Sequence, residues 1–273
     1  MGRLSEKRLF LLDMDGTIYL EDTLFPETKP FLERVRALGG RYLFATNNSS
    51  RSVEAYIERL AGMGIPTGQE DFLTSVDVLI RHLRGLERLP RLCYVLGTRS
   101  FLQQLRDAGI PVTDRPEPAV DCLLAGFDRE LTFQKLEDAC ILLNRGVTFW
   151  ATNPDWVCPT HYGSVPDCGS ICEMLWRATG RRPLVVGKPA PEMVRLAMER
   201  TGVSREETLV IGDRLYTDIA CGINAGVDTA LVLSGETKEA DLAESPWKPT
   251  WIWKSIGEFL RETENQSVGK LDF

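Results

Sequence analysis

The chain has 273 residues, a length that favours two domains or one domain with a large insertion. Its hydrophobic content of 43% and charged content of 26% are ordinary for a globular protein and exclude a disordered or fibrous chain. The net charge of −7 argues against nucleic-acid partners and acidic membrane surfaces, because both select for clustered Lys and Arg. An anionic ligand must therefore be held by local charges and a metal ion.

The cysteines and the N-terminal segment bear on the cellular compartment. The seven cysteines form no CxxC pair and mostly lie in apolar runs, which predicts reduced, buried thiols. A zinc site is an alternative whose spacing fits no standard ligand pattern; it would use Cys158, Cys168, Cys172 and His161. Residues 1–10 mix charge with few apolar side chains, unlike a signal peptide or a membrane span. We therefore expect a cytoplasmic protein without a membrane partner.

Short apolar runs alternate with segments of helical period, a pattern typical of a parallel sheet covered by helices on both faces. In the first third, the predicted strands are Arg8 to Leu12, Tyr42 to Ala45 and Phe72 to Ser75. The predicted helices there are Phe31 to Leu38 and Val53 to Leu60. This part of the chain therefore predicts a doubly wound α/β fold.

The same alternation continues through the rest of the chain. In the middle, the predicted strands are Leu92 to Leu96, Asp121 to Ala125 and Val147 to Ala151. In the last third, the predicted elements are the strands Leu184 to Val186, Thr208 to Ile211 and Thr229 to Leu233, a helix Pro191 to Thr201 and a short helix after Asp218. The polar tail after Arg261 is expected to fray. We predict a core of residues 1–75 and 187–273 with an inserted α/β domain of residues 76–186.

Two carboxylates, Asp13 and Asp15, follow the first predicted strand in the run Asp-Met-Asp-Gly-Thr. Open α/β sheets bind their ligands at the carboxyl ends of strands. Carboxylates this close need a cation, a shared proton or both. A plain Asp-x-Asp-Gly turn is the alternative. A helix-loop-helix calcium site is excluded, because a strand precedes the run and no further ligands follow at the required spacing.

A hydroxyl and two amides follow the second predicted strand. Thr46, Asn47 and Asn48 can hydrogen-bond phosphate oxygens together with backbone N–H groups. The same residue types also suit loops and helix caps. This motif alone therefore leaves binding and loop roles open.

A lysine and a second pair of carboxylates follow later strands of the same predicted sheet. Lys188 lies in Gly-Lys-Pro and can neutralise a phosphate. A nucleotide P-loop is excluded there, because Pro189 stands where Ser or Thr must reach the magnesium ion. Asp213 and Asp218 lie in Gly-Asp-Arg-Leu-Tyr-Thr-Asp after the strand that ends at Ile211. Four polar motifs at strand ends of one sheet make coincidence a poor explanation.

The order of these motifs resembles that of the haloacid dehalogenase (HAD) superfamily. DMDGT, TNN, GKP and GDRLYTD match its four motifs, the likeness covers nearly the whole chain, and Asp15 is typical of its phosphatases. The chain is similar to the 4-nitrophenylphosphatase-like, NagD-type branch, in which an α/β cap is inserted between the second and third motifs; residues 151–155, ATNPD, resemble a cap signature of that branch. One departure is the run PDCG at residues 166–169, where the branch has Pro-Gly-x-Gly, and it bears on the substrate. The resemblance implies a Rossmann-like HAD core with an α/β cap.

The resemblance further implies a magnesium-dependent phosphatase that passes through an aspartyl-phosphate. Asp13 is the implied nucleophile, and Asp15 the general acid and then the general base. The Asp13 and Asp213 carboxylates and the backbone carbonyl of Asp15 are the implied Mg²⁺ ligands. Asp218 is expected to orient Lys188 or a metal-bound water.

The implied substrate contacts come from the TNN and GKP motifs and from the ATNPD cap signature. They are Thr46, Asn47, Asn48, Asn153 and Lys188, of which Thr46 and Lys188 are also expected to hold the transferred phosphoryl group. The chain has only two histidines, so a histidine phosphatase lacks its parts. His161 follows the cap signature and is expected to contact the substrate or to be an ordinary loop residue.

The substrate and the partners stay open at this level. Sugar phosphates, phosphoglycolate, glycerol phosphate, nucleotides and pyridoxal phosphate all suit a small phosphorylated metabolite bound in a capped site. The alternatives are a phosphotransferase or mutase of the same superfamily and a non-catalytic protein that binds a phosphorylated ligand. The apolar stretches Cys140 to Leu143 and Ile171 to Trp176 could form a homodimer interface or pack in the core.

Overall fold

The computed structural model describes residues 3–160 and 162–268. The strands are β1 (Leu9–Leu12), β2 (Tyr19–Leu20), β3 (Thr23–Leu24), β4 (Arg41–Thr46), β5 (Phe72–Thr74), β6 (Cys93–Leu96), β7 (Val112–Thr113), β8 (Cys122–Ala125), β9 (Thr148–Ala151), β10 (Val157–Thr160), β11 (Gly163–Pro166), β12 (Leu184–Val185), β13 (Thr208–Gly212), β14 (Asp228–Val232) and β15 (Trp251–Trp253). The α-helices are α1 (Thr28–Ala37), α2 (Val53–Gly62), α3 (Ser75–Arg84), α4 (Arg99–Asp107), α5 (Phe133–Asn144), α6 (Cys168–Thr179), α7 (Glu192–Thr201), α8 (Ala220–Ala225), α9 (Asp241–Glu244) and α10 (Glu258–Val268).

The described residues fall into two compact units. Unit 1 takes its residues from Met1–Ala45, Ile57–Leu73 and Pro189–Phe273, and unit 2 comprises Thr46–Tyr56 and Thr74–Lys188. The short stretch Thr46–Tyr56 thus belongs with unit 2. The predicted roles, a catalytic core for residues 1–75 and 187–273 and a cap for residues 76–186, stay predictions.

The main sheet of unit 1 has the strand order β15-β14-β13-β1-β4-β5. The pairings of β1 with β13 and β4, of β13 with β14 and of β14 with β15 are all parallel. From β1 the chain proceeds to β4 and β5 on one side and then to β13, β14 and β15 on the other. The boundary between β1 and β13 is therefore the point where the strand order reverses, and such points are where open α/β sheets bind ligands.

Aromatic side chains attach the helices to one face of this sheet. The ring of Phe259 in α10 lies 5.4 Å from Phe10 in β1 and 4.9 Å from Phe31 in α1, both in edge-on geometry. All three side chains are fully buried. Burying a ring of this size contributes roughly 1.5–3 kcal/mol, which holds both helices against the centre of the sheet.

The main sheet of unit 2 has the order β12-β9-β8-β6-β7 and is parallel at every pairing. Helices α5 and α6 pack on it through an apolar cluster that includes Leu123, Leu142, Phe149, Ile171 and Leu175. An antiparallel hairpin of β10 and β11 forms a separate small sheet. Parts of both apolar stretches noted in the sequence thus lie in the core of unit 2, while Ile141 and Met174 are exposed.

The predicted doubly wound α/β fold is confirmed, and most predicted strands are displaced by at most one residue at either end. The expectation that Lys188 follows a strand of the same sheet as the other three motifs is wrong, because β12 pairs with β9 in the sheet of unit 2. The expectation of a frayed tail after Arg261 is wrong for the described part, because α10 continues to Val268. Phe259 anchors this helix in the core, and Arg34 donates from Nε to the Thr263 hydroxyl at 3.1 Å. Among the described residues, no helix has the length and apolar character needed to cross a bilayer.

An ion pair between a buried lysine and a half-buried aspartate fixes the amino ends of the central strands. The Lys7 ammonium lies 2.7 Å from Asp228 Oδ2 and also donates to the Thr208 carbonyl oxygen at 3.3 Å. The hydroxyl of Thr250 donates to Asp228 Oδ1 at 3.1 Å. Burial would raise the pKa of Asp228, but its hydrogen bond and ion pair with Lys7 outweigh burial and lower that pKa. This pair ties β1, β13 and β14 together at the edge opposite their carboxyl ends.

Replacement of one partner of this pair tests its contribution to stability. Asp228→Asn leaves the Lys7 ammonium buried without its counter-charge, and the free energy of unfolding should fall by about 3 kcal/mol. Urea denaturation near neutral pH measures this loss, and the double variant Lys7→Met with Asp228→Asn should recover part of it. An Asp228→Asn protein as stable as the wild type would show that the pair contributes little.

Candidate active site

Three carboxylates form one group at the reversal point of the unit 1 sheet. Asp13, Asp213 and Asp218 each contribute an oxygen, and these oxygens all lie within 4.8 Å of one another. Asp213 and Asp218 are buried, and Asp13 is half-buried. Within the part of the chain that the structure describes, no other set of three or more His, Cys, Asp or Glu side chains could share a metal ion.

The strand register brings these carboxylates together. Leu12 of β1 pairs with Ile211 of β13, and the Asp13 N–H donates to the Ile211 carbonyl oxygen at 2.9 Å. Asp13 and Asp213 therefore leave two neighbouring strands side by side. A π-helical turn, Leu215–Ile219, then returns Asp218 to the group, and its Oδ2 accepts from the Arg214 N–H at 3.1 Å.

The turn after Asp13 leaves little space around Asp213. Gly16 has φ +85°, and a Cβ there would lie 2.5 Å from Asp213 Oδ2, so only glycine fits. Asp15 is half-buried just before this turn and forms an isolated backbone bridge with Tyr19. Its carboxylate is not part of the three-carboxylate group. The acid–base and carbonyl-ligand roles expected for Asp15 stay predictions.

A loop after β14 holds one oxygen of Asp213, a feature that no sequence pattern predicted. The Glu236 N–H donates to Asp213 Oδ2 at 2.6 Å, and the Thr237 N–H donates to the Asp213 carbonyl oxygen at 3.2 Å. The Glu236 carboxylate in turn lies 2.8 Å from Arg214 Nε. The only local signal was the small-residue run Ser-Gly after a predicted strand.

The second oxygen of Asp213 indicates a missing positive charge. Oδ1 is buried and has no hydrogen-bond partner among the described residues. Burial raises the pKa of Asp213 to about 7, and the negative charge of Asp218 adds to this rise, although Arg214 and the Glu236 N–H act against it. Hard divalent cations prefer carboxylate oxygens, and such a cation would offset two of the three negative charges. The residues present therefore fit a divalent metal ion.

The predicted site residues of unit 2 form a separate hydrogen-bonded group. The Lys188 N–H donates to Asn47 Oδ1 at 2.9 Å, and Asn47 Nδ2 donates to the Lys188 carbonyl oxygen at 3.0 Å. The Thr46 hydroxyl accepts from the Asn48 N–H at 3.1 Å, and Asn48 Oδ1 accepts from the Ser50 N–H at 2.9 Å. The structure thus brings Asn47 and Lys188 together, with Thr46 and Asn48 on the same loop.

Asn153 belongs to the same buried group. Its Nδ2 donates to Asp155 Oδ2 at 2.8 Å and to Asp167 Oδ1 at 3.0 Å, and its Oδ1 accepts from the Thr152 hydroxyl at 2.7 Å. Asn47 Nδ2 also donates to Asp155 Oδ2, at 3.1 Å. The substrate contacts expected for Asn47, Asn48 and Asn153 stay predictions.

One signal in the sequence pointed to this group. Ala-Thr-Asn occurs twice, at residues 45–47 and 151–153, each time at the end of a parallel strand. The structural roles of Asp155 and Asp167 were not foreseen. For the zinc alternative, His161 lies outside the described residues; the sulfur atoms of Cys168 and Cys172 lie 4.0 Å apart.

Two family models match this chain. The one described as haloacid dehalogenase-like hydrolase matches residues 10–111, and the one described as HAD-hydrolase-like matches residues 185–259. The 5'-nucleotidase YutF of Bacillus subtilis is 34% identical over 92% of this chain and 96% of its own length. The ribonucleotide monophosphatase NagD of Escherichia coli K12 is 32% identical over 91% of this chain and 96% of its own length.

Solved structures show the same relationship. The 4-nitrophenylphosphatase of Thermotoga maritima is 39% identical, with a TM-score of 0.88, over 94% of this chain and 98% of its own. The glycerol phosphate phosphatase of Mycobacterium tuberculosis, solved in complex with magnesium, is 29% identical, with a TM-score of 0.88, over 95% of this chain and 78% of its own.

The cation and the raised pKa of Asp213 can be tested together by thermal denaturation. The ordinary pKa of 3.8 is raised to about 7 in the folded protein, so the stability linked to this carboxyl is complete below pH 3.8 and lost as the pH rises to about 7. In EDTA at about pH 8, Asp213→Asn should therefore melt at a higher temperature than the wild type, and the gap should narrow towards about pH 5.

Addition of Mg²⁺ should reverse this order at about pH 8, because the ionised wild-type carboxylate binds the cation that the amide cannot. Asp22→Asn, which changes a carboxylate that is 94% exposed, serves as the matched control and should respond to Mg²⁺ like the wild type. A stabilisation by Mg²⁺ that persists unchanged in Asp213→Asn would contradict the assignment.

Proposed function

This chain belongs to the haloacid dehalogenase-like hydrolases and is a phosphatase of the NagD-type branch, and from that premise we propose that it hydrolyses a small phosphorylated metabolite through an aspartyl-phosphate. The observation that carries the proposal is the group of Asp13, Asp213 and Asp218 at the reversal point of the sheet. A nucleophilic carboxylate next to a cation site suits phosphoryl transfer, in which charge stabilisation and positioning supply most of the catalysis.

The first proposed step forms the covalent intermediate. A carboxylate oxygen of Asp13 attacks the phosphorus atom of the monoester, and the bond between phosphorus and the ester oxygen breaks. Asp15 donates its proton to that oxygen, so the product leaves as an alcohol. The half-buried position of Asp15 beside a turn is compatible with a group that exchanges protons with solvent.

The second proposed step restores the enzyme. Asp15, now ionised, accepts a proton from a water molecule as its oxygen attacks the phosphorus atom of the aspartyl-phosphate. The bond between phosphorus and the Asp13 oxygen breaks, and inorganic phosphate leaves. Two displacements on opposite sides of the same phosphoryl group thus replace one difficult hydrolysis.

We propose Mg²⁺ as the cation of this site. The Asp13 and Asp213 carboxylates and the Asp15 carbonyl oxygen would hold it, and Asp218 is close enough to the same carboxylates to orient a bound water or to join the ligands. Bound there, Mg²⁺ supplies positive charge that offsets the repulsion between the nucleophile and the phosphate. The orphaned Oδ1 of Asp213 and the magnesium complex of the mycobacterial relative support this choice.

The phosphoryl oxygens are assigned to residues of unit 2. We propose that the Lys188 ammonium and the Thr46 hydroxyl bind them, with Asn48 on the same loop. Both Thr46 and Lys188 are largely buried, at 5% and 3% exposed, and fixed donors with little water around them interact most strongly with the spread charge of the transition state.

The substrate is proposed as a class. The substrates named for the relatives are a nucleotide, a nitrophenyl ester and glycerol phosphate, which share only a phosphomonoester on a small group. We propose a cytoplasmic enzyme that acts on such a metabolite and uses neither a nucleic acid nor a membrane as partner. We also propose a homodimer, because Ile141 and Met174 expose apolar side chains that a second copy could cover.

Phosphate release from a panel of small phosphomonoesters tests the reaction. With Mg²⁺ and no added acceptor, the wild type should release inorganic phosphate, and EDTA should abolish the release. Asp13→Asn should lower the rate on the order of 10³-fold or more, because the amide is not a nucleophile and no phosphoenzyme forms. Asp22→Asn, an exposed carboxylate on the following hairpin, should retain wild-type activity.

The outcome of this assay separates the proposal from its rivals. Steady turnover by Asp13→Asn near the wild-type rate would refute the role of Asp13. A phosphoenzyme that forms but releases phosphate only when an alcohol is added would identify a phosphotransferase. Absence of both release and phosphoenzyme would favour a binding protein.

A further inference from the structure

The Asn47 side chain clamps the main chain of Lys188 on both sides. Its Oδ1 accepts from the Lys188 N–H at 2.9 Å, and its Nδ2 donates to the Lys188 carbonyl oxygen at 3.0 Å. The second Nδ2 hydrogen goes to Asp155 Oδ2 at 3.1 Å. These partners fix the orientation of the amide, because a flipped Asn47 would face the Lys188 N–H with a donor and the carboxylate with an acceptor.

Asp155 is the acceptor on which this clamp depends. It is 2% exposed, and its Oδ2 accepts from Asn47 and from Asn153, at 3.1 and 2.8 Å. Its own main chain is tied to the start of α6, since the Gly169 N–H donates to the Asp155 carbonyl oxygen at 2.8 Å. Two amides thus bind one oxygen of the carboxylate, and the main chain of Asp155 is fixed separately, so the carboxylate can act as a fixed reference for Asn47.

The segment that carries Lys188 has close neighbours in unit 2. The Gly187 N–H donates to the Thr152 carbonyl oxygen at 2.9 Å, and a Cβ at Gly187 would lie 2.2 Å from that oxygen. The Ser75 hydroxyl donates to the Asn47 carbonyl oxygen at 2.8 Å. These contacts locate Gly187 and Asn47, and the amide of Asn47, which donates to the carboxylate of Asp155, holds the main chain of Lys188.

We propose that Asp155 is a positioning residue of the phosphatase reaction, which acts through the Asn47 amide on Lys188; this inference rests on the proposed function of Lys188. Loss of the carboxylate leaves two buried amide N–H groups without their acceptor. The amide of Asn47 is then free to rotate, and its hold on Lys188 weakens. Small displacements of a group that binds the transferred phosphoryl oxygens are costly, since displacements of about 1 Å can lower rates on the order of 100-fold.

Kinetics of Asp155→Ala test the catalytic part of this inference. The variant should lower kcat on the order of 10- to 100-fold and raise the inhibition constant of orthovanadate, a mimic of the transferred phosphoryl group, by a similar factor. Asp155→Asn keeps one oxygen that can accept from both amides in place of Oδ2, so it should be affected less than Asp155→Ala. A variant that merely folds less completely would lose rate but keep the inhibition constant. Asn47→Ala combined with Asp155→Ala should lose no more than the worse single variant, because both act on one contact.

Asp138→Ala is the matched control. Asp138 is a buried carboxylate of the same unit that accepts from Gln134 Nε2 at 3.0 Å and from the Tyr94 hydroxyl at 3.4 Å, and none of these residues belongs to the clamp. Its replacement should lower stability while the orthovanadate constant stays at the wild-type value.

Amide hydrogen exchange at Lys188, followed by NMR, tests the clamp without any reaction. The Lys188 N–H should exchange faster in Asp155→Ala than in the wild type, and at the wild-type rate in Asp138→Ala. This measurement tests the clamp separately from the proposed phosphatase reaction, because it can be made even if the wild type releases no phosphate from any ester. Unchanged exchange in Asp155→Ala would overturn the clamp, and faster exchange with unchanged kcat and orthovanadate constant would overturn the positioning role.

Discussion

The mutual repulsion of three carboxylates is the constraint on which the candidate site depends. The parallel register of β1 and β13 places Asp13 and Asp213 on neighbouring strand ends, and the π-helical turn adds Asp218 within the same 4.8 Å. Such a group is unfavourable in a buried setting unless protons or a cation compensate it. The main chain around Asp213 nevertheless accommodates it, through the Glu236 N–H and the side-chain-free Gly16. The fold therefore maintains a repulsion between negative charges that a bound cation or a proton has to offset.

The sequence was sufficient to predict the strands and the carboxylates that follow them, because both depend on local patterns. Alternation of apolar runs and helical segments identified the strands of both sheets, because buried parallel strands read as continuous apolar stretches. Asp13 and Asp213 were identified because each directly follows such a run. The order of the strands within each sheet was not predicted, although the observed order agrees with the predicted doubly wound core. Short strands such as β2, β3 and β15 were not predicted, because two or three residues are too few to show a periodic pattern of apolar residues.

Long-range hydrogen bonds were beyond the reach of those patterns. Asn47 and Asp155 are 108 residues apart, and nothing in either local sequence specifies that their side chains meet. The same holds for Glu236, whose N–H binds a carboxylate 23 residues earlier. The error about the tail has a similar cause: the sequence after Arg261 is polar, but Thr263 is fully buried and receives a hydrogen bond from Arg34. Polar residues whose partners lie far away in the chain look like solvent-exposed residues until the fold is known.

Because Thr46–Tyr56 belongs to unit 2, the inserted residues 76–186 cannot change independently of this short segment during evolution. The Ser49 hydroxyl is hydrogen-bonded to the Thr152 hydroxyl at 3.0 Å and accepts from the Phe127 N–H at 2.9 Å, while the Thr98 hydroxyl donates to the Ser50 carbonyl oxygen at 3.1 Å. A recombination event that replaced residues 76–186 alone would remove every one of these partners. Exchange of this insert between related genes is therefore restricted to donors that match the short loop, and the two segments are expected to be inherited together.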